Sequence, residues 1–207
     1  MKTRSIRASL APLLLCPALL LGAAPAQAQE AGWSVDFAPQ PLGDIDPYEL
    51  KATPDGGTIA LGRKAGPGTF AAYVMAKFTA NGSPAWFYTV PYAVTNQGNL
   101  PFLEDSAAVD VDPDGNVYLV TNSGQTGRVT KLDPAGTVQW HSNLGIVGTF
   151  SFLQYTDIDA SIPGDVVLSG VRITDKFIKL PFDDVVMLRA SDGTIRWRKT
   201  ATASTTR

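Results

Sequence analysis

SAAVDVDPDGNVYLVTNSGQTGRVTKLDPAGTVQWHS, residues 106–142, divides into four short strands joined by tight turns. Ala107–Val111 alternates, Pro113-Asp114-Gly115-Asn116 turns the chain, and Val117–Thr121 is a second apolar run. Arg128–Leu132 follows as a third strand, Asp133–Gly136 as a second turn, and Thr137–Ser142 as a fourth strand carrying Trp140. Alternation with period two is the pattern of a half-buried strand and excludes helices, whose apolar positions recur every third or fourth residue. Pro, Asp, Asn and Gly at the breaks supply the backbone angles and local hydrogen bonds of tight turns. Successive strands are therefore antiparallel neighbours.

The same unit recurs on both sides. Trp33, Trp86, Trp140 and Trp197 stand at intervals of 53, 54 and 57 residues. Gly82, Gly136 and Gly193 each precede a tryptophan by four residues, in NGSPAW, AGTVQW and DGTIRW. Pro54-Asp55-Gly56-Gly57 repeats the first turn without a gap, and Pro163-Gly164-Asp165 repeats it one residue shorter. A period near fifty residues with four strands in each is the pattern of propeller blades. The prediction is an all-β chain, a partial β-propeller of three four-stranded antiparallel blades over about 48–90, 106–145 and 155–200. Trp86, Trp140 and Trp197 are expected at equivalent buried positions. Trp33–Phe37 aligns with the fourth strands and reads as a leading outer strand, connected through residues 38–47 to the first blade. Residues 201–207 are a polar tail.

Lys2, Arg4 and Arg7, the apolar run Leu10–Leu21 and Ala26-Gln27-Ala28 form a secretory signal peptide over residues 1–28. A mature chain beginning near Gln29 is expected in the periplasm or outside the cell. The apolar run is too short for a persuasive membrane span, so an integral membrane protein is not expected. Cys16 is the one cysteine, and it follows Leu15 where a lipid-acceptor signal needs a small residue. Removing the signal takes the formal charge from −2 to −5, which gives no basic face for nucleic acid. Arg196, Arg198 and Lys199 read as solvated charges protecting an outer strand from edge-to-edge pairing.

DVDPDGNVYLV followed by VTKLDPAGTVQW resembles the bacterial repeats grouped with the PQQ-like (quinoprotein-like) propellers and the related SBBP repeats. DVVMLRASDGTIRW is similar to the pattern of those blades in which a glycine turn precedes an outer-strand tryptophan. The resemblance spans about residues 48–199 and implies that Trp86, Trp140 and Trp197 pack between adjacent blades. It implies a blade and leaves function open, since one fold hosts many functions.

Propellers close with about 4 to 8 blades, and this chain supplies three and a leading strand. It therefore reads as the first part of a longer propeller or a truncated product, with self-association through open blade faces as the other outcome. Three blades in an arc leave both terminal faces uncovered.

Chemical constellations are sparse. Asp110-Val-Asp112-Pro-Asp114-Gly115 matches the opening of a calcium loop, but the twelfth position is Thr121 where a bidentate Glu is needed, and a hairpin turn fits better. Asp157 and Asp159 read as polar residues near the propeller axis. His141, the sole histidine, follows a packed tryptophan on an outer strand, far from any loop-built cleft. Asn81-Gly82-Ser83 is formally a glycosylation sequon and reads as a turn. The sequence assigns no catalytic, cofactor or metal residue.

Tight links fall on one end of each blade and longer ones, about 62–71, 91–104, 121–128, 143–154 and 170–183, on the other. The longer ones hold Phe70, Tyr92, Phe102, Phe150, Phe152, Phe177 and Phe182. Loops on a rigid scaffold are where binding residues concentrate. The expected function is a non-catalytic exported scaffold or binding module that holds a protein or extracellular polymer on this face. The alternative is a piece of a propeller enzyme, such as a quinoprotein-like oxidoreductase or a lyase.

Overall fold

The computed structural model describes residues 45–66, 69–91, 107–123, 126–145, 152–173 and 181–202. The signal segment, the Trp33–Phe37 strand and the residues Tyr92, Phe102, Phe150 and Phe177 lie outside them. Twelve strands form three separate antiparallel sheets, and no helix occurs among the described residues. Blade 1 holds β1 (Ile45–Ala52), β2 (Thr58–Gly66), β3 (Thr69–Phe78) and β4 (Pro84–Pro91). Blade 2 holds β5 (Ala107–Val111), β6 (Val117–Ser123), β7 (Thr126–Leu132) and β8 (Val138–Gly145). Blade 3 holds β9 (Phe152–Asp159), β10 (Asp165–Ile173), β11 (Pro181–Arg189) and β12 (Ile195–Thr202). Each strand pairs with its neighbours in chain order. This is a partial β-propeller.

Two of the predicted long links are short. β2 runs to Gly66 and β3 begins at Thr69; β6 runs to Ser123 and β7 begins at Thr126. Lys64, Thr121 and Arg128 are strand residues in the ladders, because backbone pairing continues as long as both strands can supply partners, whatever their polarity. Phe70, Phe152 and Phe182 likewise fall inside β3, β9 and β11.

The core lies between blades. Ile59, Leu61, Tyr73 and Met75 of blade 1 meet Val109, Val117, Leu119 and Leu132 of blade 2. Tyr118, Val120, Val129 and Leu144 of blade 2 meet Leu153, Ile158, Leu168 and Leu188 of blade 3. Alternation explains the division: Tyr118 and Val120 face forward while Val117 and Leu119 face back. Blade 2 is buried on both faces, so its β6 reads as a continuous apolar run.

Each of the three tryptophans among the described residues is aimed by a bulge. Leu132 pairs with Val138 and Lys131 with Trp140, which leaves Gln139 as an extra residue on β8. The same shift places Trp86 opposite Lys77 and Trp197 opposite Met187. An extra residue flips everything beyond it to the other face of the sheet. Without the bulge Trp140 would point back into blade 2's rear neighbour; with it, the indole faces blade 3.

Candidate functional site

The two blade interfaces are built from the same parts. Trp86 Nε1 donates to Pro134 O at 3.1 Å, and Trp140 Nε1 donates to Ala190 O at 3.1 Å. Each indole lies on a glycine of the next blade: a Cβ on Gly136 would meet the Trp86 ring at 2.7 Å, and one on Gly193 the Trp140 ring at 2.7 Å. Both glycines have positive φ, +83° and +72°, which an L side chain rarely adopts. The lysine opposite each tryptophan adds a second donor, Lys77 Nζ to Pro134 O at 3.4 Å and Lys131 Nζ to Ala190 O at 2.9 Å. Lys77 is buried and also pairs with Asp55 at 2.7 Å, which with Thr53 and the Gly57 amide holds the Asp55 carboxyl down at about 2.

Gly136→Ala should therefore cost about 2 kcal/mol or more, the left-handed backbone accounting for about 1–2 and displacement of the indole for the rest. Gly164 has φ +81° but open space around a Cβ. Its alanine variant should show only the conformational part. Urea unfolding of both variants separates the two contributions.

Trp197 breaks the expectation of equal burial. It holds the equivalent register but is 37 % exposed, whereas Trp86 and Trp140 are half-buried, because no described residue of a following blade covers it. Met187 stands where the other blades have lysine. Lys199 lies over the Trp197 ring, 5.6 Å from its centre.

At the opposite, loop-bearing end, blades 2 and 3 are bolted by polar groups. Asn122 pairs with the Tyr155 backbone like a strand residue, donating from Nδ2 to the carbonyl at 2.8 Å and accepting the amide at 2.9 Å. The Tyr155 ring sits over Gly127, where a Cβ would be 2.7 Å away, and its hydroxyl donates to Asp184 at 2.8 Å. Asp184 is fully buried. Arg198 reaches it through Nε at 3.0 Å and through an Nη at 2.7 Å, and Thr200 donates at 3.0 Å. Burial pushes the Asp184 carboxyl up, but Arg198, Tyr155 and Thr200 outweigh it and hold it below its ordinary value. Burial and the same carboxylate push the Tyr155 hydroxyl up. Arg198 is thus an anchor and not a solvated edge charge. Arg196 pairs with Asp165 at 2.8 Å, so it too is engaged.

The inner strands carry a smaller charged group. Glu49 accepts the Val109 amide at 3.1 Å, and Lys51 lies 3.7 Å from Glu49 and 3.6 Å from Asp110. Burial raises the Glu49 pKa, with Asp157 nearby as a further upward influence, while the hydroxyl and amide of Ser161 hold the Asp159 carboxyl below its ordinary value, with Lys51 a lesser influence in the same direction. Asp110 accepts the Ala160 amide at 2.8 Å. These carboxylates tie β1, β5 and β9 together near the axis.

The residues with calcium-loop spacing do not converge. Asp112 accepts the amides of Asp114 and Asn116 through one oxygen and the Asn116 amide group and Tyr118 hydroxyl through the other. That is a capped hairpin turn, and Asp110 points away to blade 3. Among the described residues no three His, Cys, Asp or Glu side chains gather as a metal site. His141 Nδ1 lies 3.0 Å from Thr130 Oγ1, its pKa lowered by desolvation and by Arg128. Asn81 accepts from the Thr79 hydroxyl and the Ser83 amide in an exposed turn. A cleft of about 260 Å3 opens between the turns of blades 2 and 3, lined by Asp112, Asp114, Tyr118, Ile162 and Asp165 among others. No helix among the described residues is long and apolar enough to cross a membrane.

No protein-family model matches this chain, and no curated protein matches it either.

Proposed function

We propose that this chain is an exported, non-catalytic β-propeller scaffold that presents its loop-bearing end to a protein or an extracellular polymer. The supporting observation is the bolting of blades 2 and 3 at both ends, by Trp140 on Gly193 and by Asn122, Tyr155, Asp184 and Arg198. Such fastening fixes the strand ends from which the connections spring, and a rigid frame lowers the entropy lost when loops bind a partner. The kinship we propose is with the quinoprotein-like and SBBP propeller repeats. It is supported by the tryptophan that follows a turn glycine by four residues and lies on the next blade's own turn glycine.

Export is checked by fractionating cells that express the full chain and sequencing the mature N-terminus, which is expected at Gln29 in periplasmic or culture fluid. Material retained in the cytoplasm and still beginning at Met1 would overturn it. Binding is checked by adsorption to cell envelopes. Replacing residues 92–106 and 146–151 by Gly/Ser links should weaken adsorption about tenfold or more, while Asp133→Ser on the turn end should not. Equal adsorption by all three proteins would sink the proposal.

A further inference from the structure

At the tight-turn end the three blades are closed to different degrees. The first-turn glycines of blades 1 and 2 pack on the second turn of their own blade: a Cβ on Gly56 would lie 3.4 Å from Ala80, and one on Gly115 3.4 Å from Pro134. Gly164, the counterpart in blade 3, would meet nothing within 4 Å. The cleft of about 260 Å3 opens beside it, between the turn of blade 2 and that of blade 3. Its apolar lining comes from Pro113, Tyr118, Ala160, Ile162 and Pro163, and Ile162 is 41 % exposed.

Hydrogen-bond donors along the cleft are spent inside the protein. The amides of Asp114, Ala160, Asp165 and Ala190 donate to Asp112, Asp110, Ile162 and Gly164, and the Tyr118 hydroxyl donates to Asp112. Pro113 and Pro163 have no N–H to offer. An anion would lose its hydration here with few donors to replace it. The acceptor side differs. Asp112 is consumed by its own turn and Asp165 pairs with Arg196, but the Asp114 carboxylate is exposed and takes no partner among the described residues. Its charge is felt in the cleft, where, after burial and Asp112, it helps to push the Tyr118 hydroxyl up. Three lining carboxylates against the neighbouring Lys131 and Arg196 leave one negative charge unmatched.

We infer that this cleft takes a lysine side chain from a protein partner, with the methylene stem against Pro113, Ile162 and Pro163 and the ammonium at Asp114. Charge complementarity selects a cation, and the apolar lining selects one on an aliphatic stem. The volume lies below the roughly 300–1,000 Å3 of pockets that hold a whole small ligand, and it suits one side chain carried by something larger. Lysine fits better than arginine, because a guanidinium gains by stacking on an aromatic face. The Tyr118 ring is already flanked by Lys131, 5.3 Å from its centre, and by Trp140, centre to centre 6.0 Å. This surface is at the other end of the blades from the loops of the proposed function, so the two readings fail separately.

The test titrates the isotope-labelled full chain with Nα-acetyl-lysine methylamide and follows backbone amide signals. Shifts are expected at Asp114, Ile162, Gly164 and Asp165, with a Kd of about 1–10 mM, the range open to a fragment of this size. The norleucine analogue has the same stem without the ammonium and should bind about threefold more weakly, as for one exposed ion pair. Asp114→Asn should weaken the lysine analogue by the same factor and leave the norleucine analogue unmoved. Asp183→Asn, the same charge change at the other end of blade 3, should affect neither. Ile162→Ser should weaken both. Both Asp114 and Ile162 are exposed, so these variants keep the fold. Equal binding of the lysine and norleucine analogues, tighter binding of the arginine analogue, or an Asp183→Asn effect as large as that of Asp114→Asn would overturn the inference. So would the absence of localised shifts up to roughly 50 mM.

Discussion

Trp140→Ala is expected to destabilise the protein by about 3 kcal/mol, the lower end of the range for removing a packed aromatic side chain. The low end applies because the indole is half-buried. The cost comes mainly from the space opened over Gly193 and beside Tyr118, whose ring centre is 6.0 Å from that of Trp140. Ala190 O is not orphaned by the change, since Lys131 still donates to it at 2.9 Å. Adding Lys131→Met to Trp140→Ala removes that second donor and should cost a further 1 kcal/mol or so. Trp197→Ala, at the same register but without a covering blade among the described residues, should stay below about 1 kcal/mol. Urea unfolding of the three variants measures the ordering. Equal losses for Trp140 and Trp197 would mean that the indole stabilises its own blade rather than the junction.

Asp184→Ala is expected to match or exceed that loss, at about 3–5 kcal/mol, because it breaks a buried pair and leaves its partners behind. Tyr155 loses the acceptor for its hydroxyl, and Arg198 keeps its charge with Gly145 O as a remaining contact at 3.3 Å. The Arg198 side chain is 22 % exposed, so water can reach it, and the lower half of the range applies. Asp184→Asn should lose less, since an amide oxygen still accepts from Tyr155 or Thr200.

The pH dependence follows from the same network. The Asp184 carboxyl is held below its ordinary value near 3.8 in the folded protein, so the unfolded chain binds its proton more readily. Its stabilisation is complete above about pH 4–5 and disappears as pH falls through the lower, folded value. Unfolding between pH 2 and 7 should therefore show an acid loss that Asp184→Asn abolishes in part. Asp55, held at about 2 by Lys77, Thr53 and the Gly57 amide, contributes in the same direction. Its share is small because its side chain is 57 % exposed and screened by solvent. An acid limb unchanged in Asp184→Asn would mean that other carboxylates carry it.

The blades are legible from local patterning alone. Alternation marks the faces, and the Asp, Asn and Gly of each break set the turns, both through interactions within a few residues. The repeat of Gly82, Gly136 and Gly193 before tryptophan also located the element that joins one blade to the next. Quantities that depend on residues far apart in the chain emerge only in the folded protein. The bulge at Gln139 turns Trp140 forward, yet strand alternation read locally assigns it to the opposite face. Arg198 looks like an edge charge until β11 places the buried Asp184 within reach, 14 positions earlier in the chain. Two of the three Asp residues of the apparent calcium loop separate because Asp112 caps its own hairpin while Asp110 meets the Ala160 amide 50 positions away. Burial of a repeated residue is likewise a property of its neighbour: Trp140 and Trp197 share a motif, and only the first has a blade of described residues to cover it.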